Sequence, residues 1–157
     1  GSWFDGTWED GRWHTGLWHE GTWKGGYWDN GKWESGTWKK GTWIDGTWEN
    51  GIWLDGEWES GIWEDGSWFD GTWEDGRWHT GLWHEGTWKG GSWESGIWEY
   101  GIWKKGIWED GKWEDGTWVD GIWLGGKWMR GDWKKGKIYD SESEKTINSE
   151  IPPKSMS

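Results

Sequence analysis

Four histidines carry the most specific chemical pattern in the sequence. His14 and His19 stand five residues apart, recur as His79 and His84, and have Glu20 and Glu85 beside the second of each pair. Imidazole nitrogen with carboxylate oxygen is a zinc-type donor set, but a site needs three or four ligands converging on one point. Here the ligands fall in successive repeats, on adjacent outward faces, so they are predicted to be solvated surface. Paired carboxylates such as Glu9-Asp10 and Glu114-Asp115 supply acid and base groups. General acid–base work also needs a pocket that drives two pKa values apart, which a smooth convex surface does not offer. The glycines keep a strict period of five with no helix after them, unlike a phosphate-cradling loop. With no cysteine, thiolate chemistry and disulfides are excluded. The sequence therefore gives no catalytic, cofactor-binding or metal-ligating residue. It predicts a protein that is not an enzyme, needs no cofactor and has no evident small-molecule ligand.

Two further groups bear on partners. Phe4, Tyr27, Phe69, Tyr100 and Tyr139 are the aromatics outside the tryptophan column, and they form no platform for stacking sugars or bases. Lys127, Arg130, Lys134, Lys135 and Lys137 cluster at the end of the repeats, where charge discourages edge-to-edge strand pairing and so caps a rod. With 29 acidic against 17 basic side chains, a net charge of -12 is the wrong sign for binding a nucleic-acid backbone. No run of 18 apolar residues marks a membrane helix, and no charged-then-apolar leader opens the sequence.

The element that must position all of these is a five-residue unit, Gly-x-Trp-x-x. Gly recurs every fifth residue from Gly1 to Gly136 and Trp from Trp3 to Trp133, giving 27 units without insertion or deletion. Such regularity means that each unit stacks on another. Gly1 begins in repeat phase, and residues 1–26 recur as 66–91, so the chain is expected to be a fragment of a longer array. The 13-unit block is divisible by neither two, three nor four. A copied residue must therefore land on a different face of any coil with that many sides.

Within a unit, Gly and Trp lie two residues apart and point to the same side of an extended segment, while the residue between them points to the other. That intervening position accepts Arg12, Lys32, Glu57, Lys112 and Asp132, which no apolar interior would hold unpaired, so the tryptophans face inward. The fifth position is rich in Asp, Asn, Ser and Gly, the residues of turns. A bend every five residues leaves strands too short for hairpins and predicts a continuously advancing β-solenoid over residues 1–140. Opposite charges in the fourth slot recur most at a two-unit lag, which also admits a flattened, two-sided coil. The polar stretch 141–157, with Pro152-Pro153, is predicted to be a disordered tail.

This unit resembles the pentapeptide-repeat family, with Gly in the small slot and Trp in the central slot that the family fills with Leu or Phe. The resemblance implies a right-handed, four-sided β-helix of about 20 residues per coil, with nearly seven coils and about 30 Å of rod; three units per coil gives nine coils and about 43 Å. A Gly-x-Trp-x-x-Gly string also resembles part of the MORN repeat, whose longer unit is absent. The leading functional expectation is a non-catalytic structural scaffold, a stiff rod or fibre segment, with protein partners or end-to-end self-association. Low-complexity Gly-x-Trp repeats of this kind resemble those of phage-type structural proteins. One alternative is an acidic DNA mimic that binds a DNA-processing enzyme, as some acidic members of the resembled family inhibit topoisomerases. A carbohydrate-binding adhesion module is a third reading, and it depends on outward-facing indoles.

Overall fold

The computed structural model describes residues 1–154. Every unit from Ser2–Trp3 to Asp132–Trp133 contributes a two-residue strand made of its second and third positions. Strands pair in parallel with the unit three places along, so that Trp3 lies beside Trp18 and Thr47 beside Ile62. The chain thus forms a β-solenoid with three units, or 15 residues, per coil and three parallel sheets. One sheet, the first face, starts at Ser2–Trp3; the second starts at Thr7–Trp8 and the third at Arg12–Trp13. The coil is three-sided and not four-sided as the family resemblance implies.

The reason lies in Gly and Trp acting together. Gly contributes no side chain to the interior, so the indoles alone must fill it. Within a coil each indole meets the next edge-on; Trp63 and Trp68, for instance, have ring centroids 5.9 Å apart and planes at 71°. Three rings in this arrangement close a pinwheel, the T-shaped geometry favoured by the ring quadrupoles. Along the axis each indole stacks on its neighbour one coil away, Trp63 on Trp78 at 4.8 Å and 5°. Trp18 through Trp118 are fully buried, and burial of each indole is worth roughly 4–6 kcal/mol at about 25 cal/mol per Å².

The corners explain the glycines. Gly66 has φ +124°, a conformation that L side chains rarely adopt, and a Cβ there would lie 2.4 Å from the carbonyl oxygen of Gly51 in the preceding coil. That same oxygen accepts the hydrogen bond from the Ser67 N–H at 3.0 Å. In the fifth position Asp or Asn holds the bend: Asp65 Oδ1, for example, accepts from the Gly66 N–H at 2.8 Å. The second and fourth residues point outward, as their charge predicts.

The indole N–H groups fall into two sets. Those of Trp93, Trp108, Trp113 and Trp118 donate to a corner carbonyl one coil further on, as Trp93 does to Asp110 at 3.1 Å. From Trp3 to Trp88, and at Trp98 and Trp103, the N–H groups are buried without a hydrogen-bond acceptor.

The stretch after residue 140 departs from the predicted disorder. Gly136–Asp140 continues the first face, and Lys145–Ser149 pairs antiparallel with it, joining Ile138 to Ile147. Asp140 closes the turn by accepting the Glu144 N–H on its carbonyl at 2.8 Å. Trp133 donates its indole N–H to the Ser149 carbonyl, and Pro153 is buried. Pairing with an existing sheet edge orders this polar segment, which lacks the apolar period that would reveal a strand. Residues 155–157 of the predicted tail lie outside the described residues.

Candidate functional site

A solenoid places residues 15 apart on one outward row, and this rule decides what the charged groups meet. His14 Nδ1 lies 3.3 Å from Asp29 Oδ2, and His19 Nδ1 lies 2.8 Å from Glu34 Oε2. His79 pairs with Glu94, and His84 with Glu99. Each histidine therefore meets one carboxylate in the next coil, and the Glu20 and Glu85 beside them in sequence are not their partners. Among the described residues no group of three or more His, Cys, Asp or Glu converges as a metal site.

Arginine joins two of these pairs from the row alongside. Arg12 Nε donates to Asp29 Oδ2 at 2.8 Å, and Arg77 contacts Glu94. The hydrogen bond from Arg12 holds the Asp29 carboxyl below the usual carboxylate range, against the opposing effect of desolvation. Glu94 is lowered in the same way, first by its bond to His79 and then by Arg77. The arrangement is a clasp between coils, in which one carboxylate meets a histidine of the preceding coil and an arginine of the row alongside. Lys32 and Glu49 form a similar pair at 2.9 Å. The pairs span the next coil, not the two-unit lag that the charges alone suggest.

The duplicated block can now be placed. An offset of 65 residues is four coils of 15 plus one unit of five, so each copied feature moves four coils along and one face round. Phe4 stacks on His19 at 4.6 Å on the first face; their copies Phe69 and His84 sit tilted at 5.7 Å on the second. The remaining outer aromatics are likewise scattered, with Tyr27 on the third face beside Arg12 and Tyr100 at a corner. Of the carboxylate pairs, Asp115 accepts from the Arg130 Nε at 3.2 Å, and Glu9 lies 3.3 Å from the Lys24 Nζ. Both pairs stand on the outer surface as predicted.

Depressions on this surface are shallow. One runs across the second face past Ile97, Lys112 and Lys127; another lies where the terminal hairpin meets the last coil, lined by Leu124, Tyr139, Ile147 and Pro153. In the basic cluster, Arg130 is paired with Asp115, and Lys137 lies in the strand that continues the first face. Closure of that face by an antiparallel strand was not legible from the lysines. The one sequence signal for it is Ile138 replacing Trp in the ladder, since a smaller apolar residue ends the stack.

The fold and this surface define a tandem-repeat β-solenoid with three tryptophan ladders. No protein-family model matches the chain, and neither does any curated protein. Among solved structures the chain is similar to the polysialic acid O-acetyltransferase OatWY, studied crystallographically, at 9% identity and a TM-score of 0.19, covering 99% of this chain and 90% of that one. At that score the likeness carries no argument.

Proposed function

We propose that the chain is a non-catalytic structural element, a stiff β-solenoid rod or fibre segment that spaces other parts or partners along its axis. The observation that supports this reading is the uninterrupted core, in which every indole from Trp18 to Trp118 is fully buried and each coil repeats the contacts of the last. The outward positions vary freely in charge and size, which suits a spacer better than a conserved recognition face. Its associations would be with proteins, or end to end with further copies. Small-angle scattering on variants with whole coils added tests the idea. Each additional 15 residues should lengthen the particle by about 4.8 Å at constant cross-section, whereas an increase in thickness without length would overturn it.

One surface row favours a second reading. Glu34, Glu49, Glu64, Glu94 and Glu109 lie along the first face, broken only by His79. Such a row supports an acidic mimic of DNA bound by a DNA-processing enzyme. Charge density argues for the rod: 12 net charges over roughly 43 Å is about one per 3.6 Å, half the density of duplex DNA at one per ~1.7 Å. Inhibition of DNA gyrase supercoiling by micromolar protein would favour the mimic, and lack of effect would remove it. The carbohydrate reading loses its basis, because the indoles that would stack on sugars are inside.

A further inference from the structure

The third face carries a charge pattern that becomes its own complement when the rod is turned end for end. Its outward row of fourth-position residues, one per coil, is acidic at Asp29, Glu59 and Glu74 and basic further along at Lys89, Lys104 and Lys134. The sign changes between Glu74 and Lys89, and the two apolar members of the row, Ile44 and Val119, stand equally far to either side of that point. We propose that this face pairs with the third face of a second copy of the chain, lying antiparallel to it. The two-fold axis lies in the interface, at right angles to the rods, and passes between the coils of Glu74 and Lys89.

Such an axis sets each row of one copy against the same row of the other in reverse order. Glu74 then meets Lys89 of the second copy, Glu59 meets Lys104, Asp29 meets Lys134 and Ile44 meets Val119, and symmetry repeats every contact. Because both copies have the same coil rise, a match at one coil carries to all the others. The second-position row follows the same order: Thr72 faces Thr87, Thr42 faces Thr117, and the Tyr27 hydroxyl can donate to Asp132. Glu57 faces Ile102 and lies diagonally across from Lys104. A slip of one coil brings Glu74 onto Glu74 of the second copy, or Lys89 onto Lys89, so charge fixes the register as well as the orientation.

The charges on this face also lack partners inside one chain. Elsewhere a side chain reaches its counterpart one coil away, as Lys89 reaches Glu74 at 3.2 Å, but Glu59, Lys104 and Lys134 form no ion pair among the described residues. The second face has a shorter match, Lys24 and Lys39 against Glu114 and Glu99. Three of those four are already engaged within the chain, Lys24 with Glu9, Glu99 with His84 and Glu114 with Lys112. On the first face Glu34, Glu49, Glu64 and Glu94 would set like against like. Antiparallel pairing through the third face leaves that acidic row turned toward solvent.

Eight strands about 4.8 Å apart and three residues about 3.3 Å apart give a contact of roughly 38 by 10 Å, on the order of 400 Å² per copy. A standard stable interface covers ~800 Å² per partner, so the dimer is weak and exchanging, with charge supplying its specificity. The net charge of -12 on each copy opposes the encounter at low salt; at about 0.1 M salt that repulsion is screened beyond ~10 Å, while the contact pairs lie closer. The pairing goes beyond the rod reading and rests on the coil geometry alone.

Sedimentation velocity and small-angle scattering on the intact chain, from micromolar to about 0.5 mM, test it. The expected result is a concentration-dependent dimer with the length of one rod and twice its cross-section. Glu59→Lys, at an exposed site, places like charges together twice in the dimer and should weaken it at least about tenfold, as should Lys104→Glu. Combining the two should return the dissociation constant to within about twofold of the parent's. Glu109→Lys changes the net charge by as much as Glu59→Lys but lies on the first face, and should leave the dimer no weaker. A chain still monomeric at about 0.5 mM, a dimer of doubled length, or a dimer that Lys39→Glu breaks and Glu59→Lys does not would overturn the proposal. Coil addition separates the two readings: a chain that lengthens with each added coil yet stays monomeric removes the pairing and leaves the rod.

Discussion

Replacing Gly66 with alanine probes the corner geometry directly. The substitution asks a Cβ to sit at φ +124° and 2.4 Å from the Gly51 carbonyl oxygen. The backbone conformation alone costs about 1–3 kcal/mol for a residue other than glycine. Relief of the close approach requires the two coils to separate locally, weakening the Ser67 N–H bond to the same oxygen at a further ~0.5–1.5 kcal/mol. The expected loss is therefore about 1.5–4.5 kcal/mol. The chain supplies its own control in Gly25, a fifth-position glycine that is not at positive φ and whose Cβ would meet nothing nearer than the Glu9 carbonyl at 3.9 Å. Gly25→Ala should be neutral or stabilising by about 0.4–1 kcal/mol, through lower entropy of the unfolded chain. Urea unfolding followed by circular dichroism would compare the midpoints of both variants with the parent. Equal midpoints for Gly66→Ala and Gly25→Ala would refute the argument that the corners, and not the saving of interior volume, demand glycine.

Trp63→Ala removes two stacked and two edge-to-face contacts from a coil that cannot collapse around the gap, and should cost about 3–5 kcal/mol in the same urea assay. Ile147→Pro deletes the backbone donor opposite Ile138 in the terminal hairpin; hydrogen exchange should then quicken at residues 136–149 while the mid-array amides stay protected. The Asp29 and Glu94 carboxyls are held below their ordinary range by Arg12 and by His79 with Arg77. Their folded-state pKa values lie below the unfolded ones, so the stability they contribute is present above the unfolded pKa and is lost as pH falls through the folded value. Urea midpoints measured between about pH 3 and pH 6 should fall less steeply on acidification in Glu94→Gln than in the parent.

Much of the fold was legible because one periodicity carries it. Residues such as Arg12 and Glu57 in the second slot leave only one side of the strand able to be the core, and the Asp and Asn of the fifth slot mark the bends. The number of sides was not legible. Spacing along the chain is the same for three or four units per coil, and the choice depends on how indoles meet edge to face across an interior, which no linear pattern records. Nor could the histidine partners be found by proximity in sequence, since Glu34 reaches His19 only once the coil length is known. The final hairpin escaped notice because Lys145–Ser149 is ordered by the edge it joins, not by an apolar face of its own.

The offset of the duplicated block says something about how such a chain can grow. Because every unit makes the same corner, strand and indole contact, a copied segment need not contain a whole number of coils; a block of 13 units fits as well as one of 12. Recombination at any glycine therefore yields a foldable product, and length becomes a freely variable trait. The surface, by contrast, is reshuffled each time, since a non-integral block turns all later decoration by one face. A lineage that lengthens in this way inherits its interior intact and its exterior scrambled.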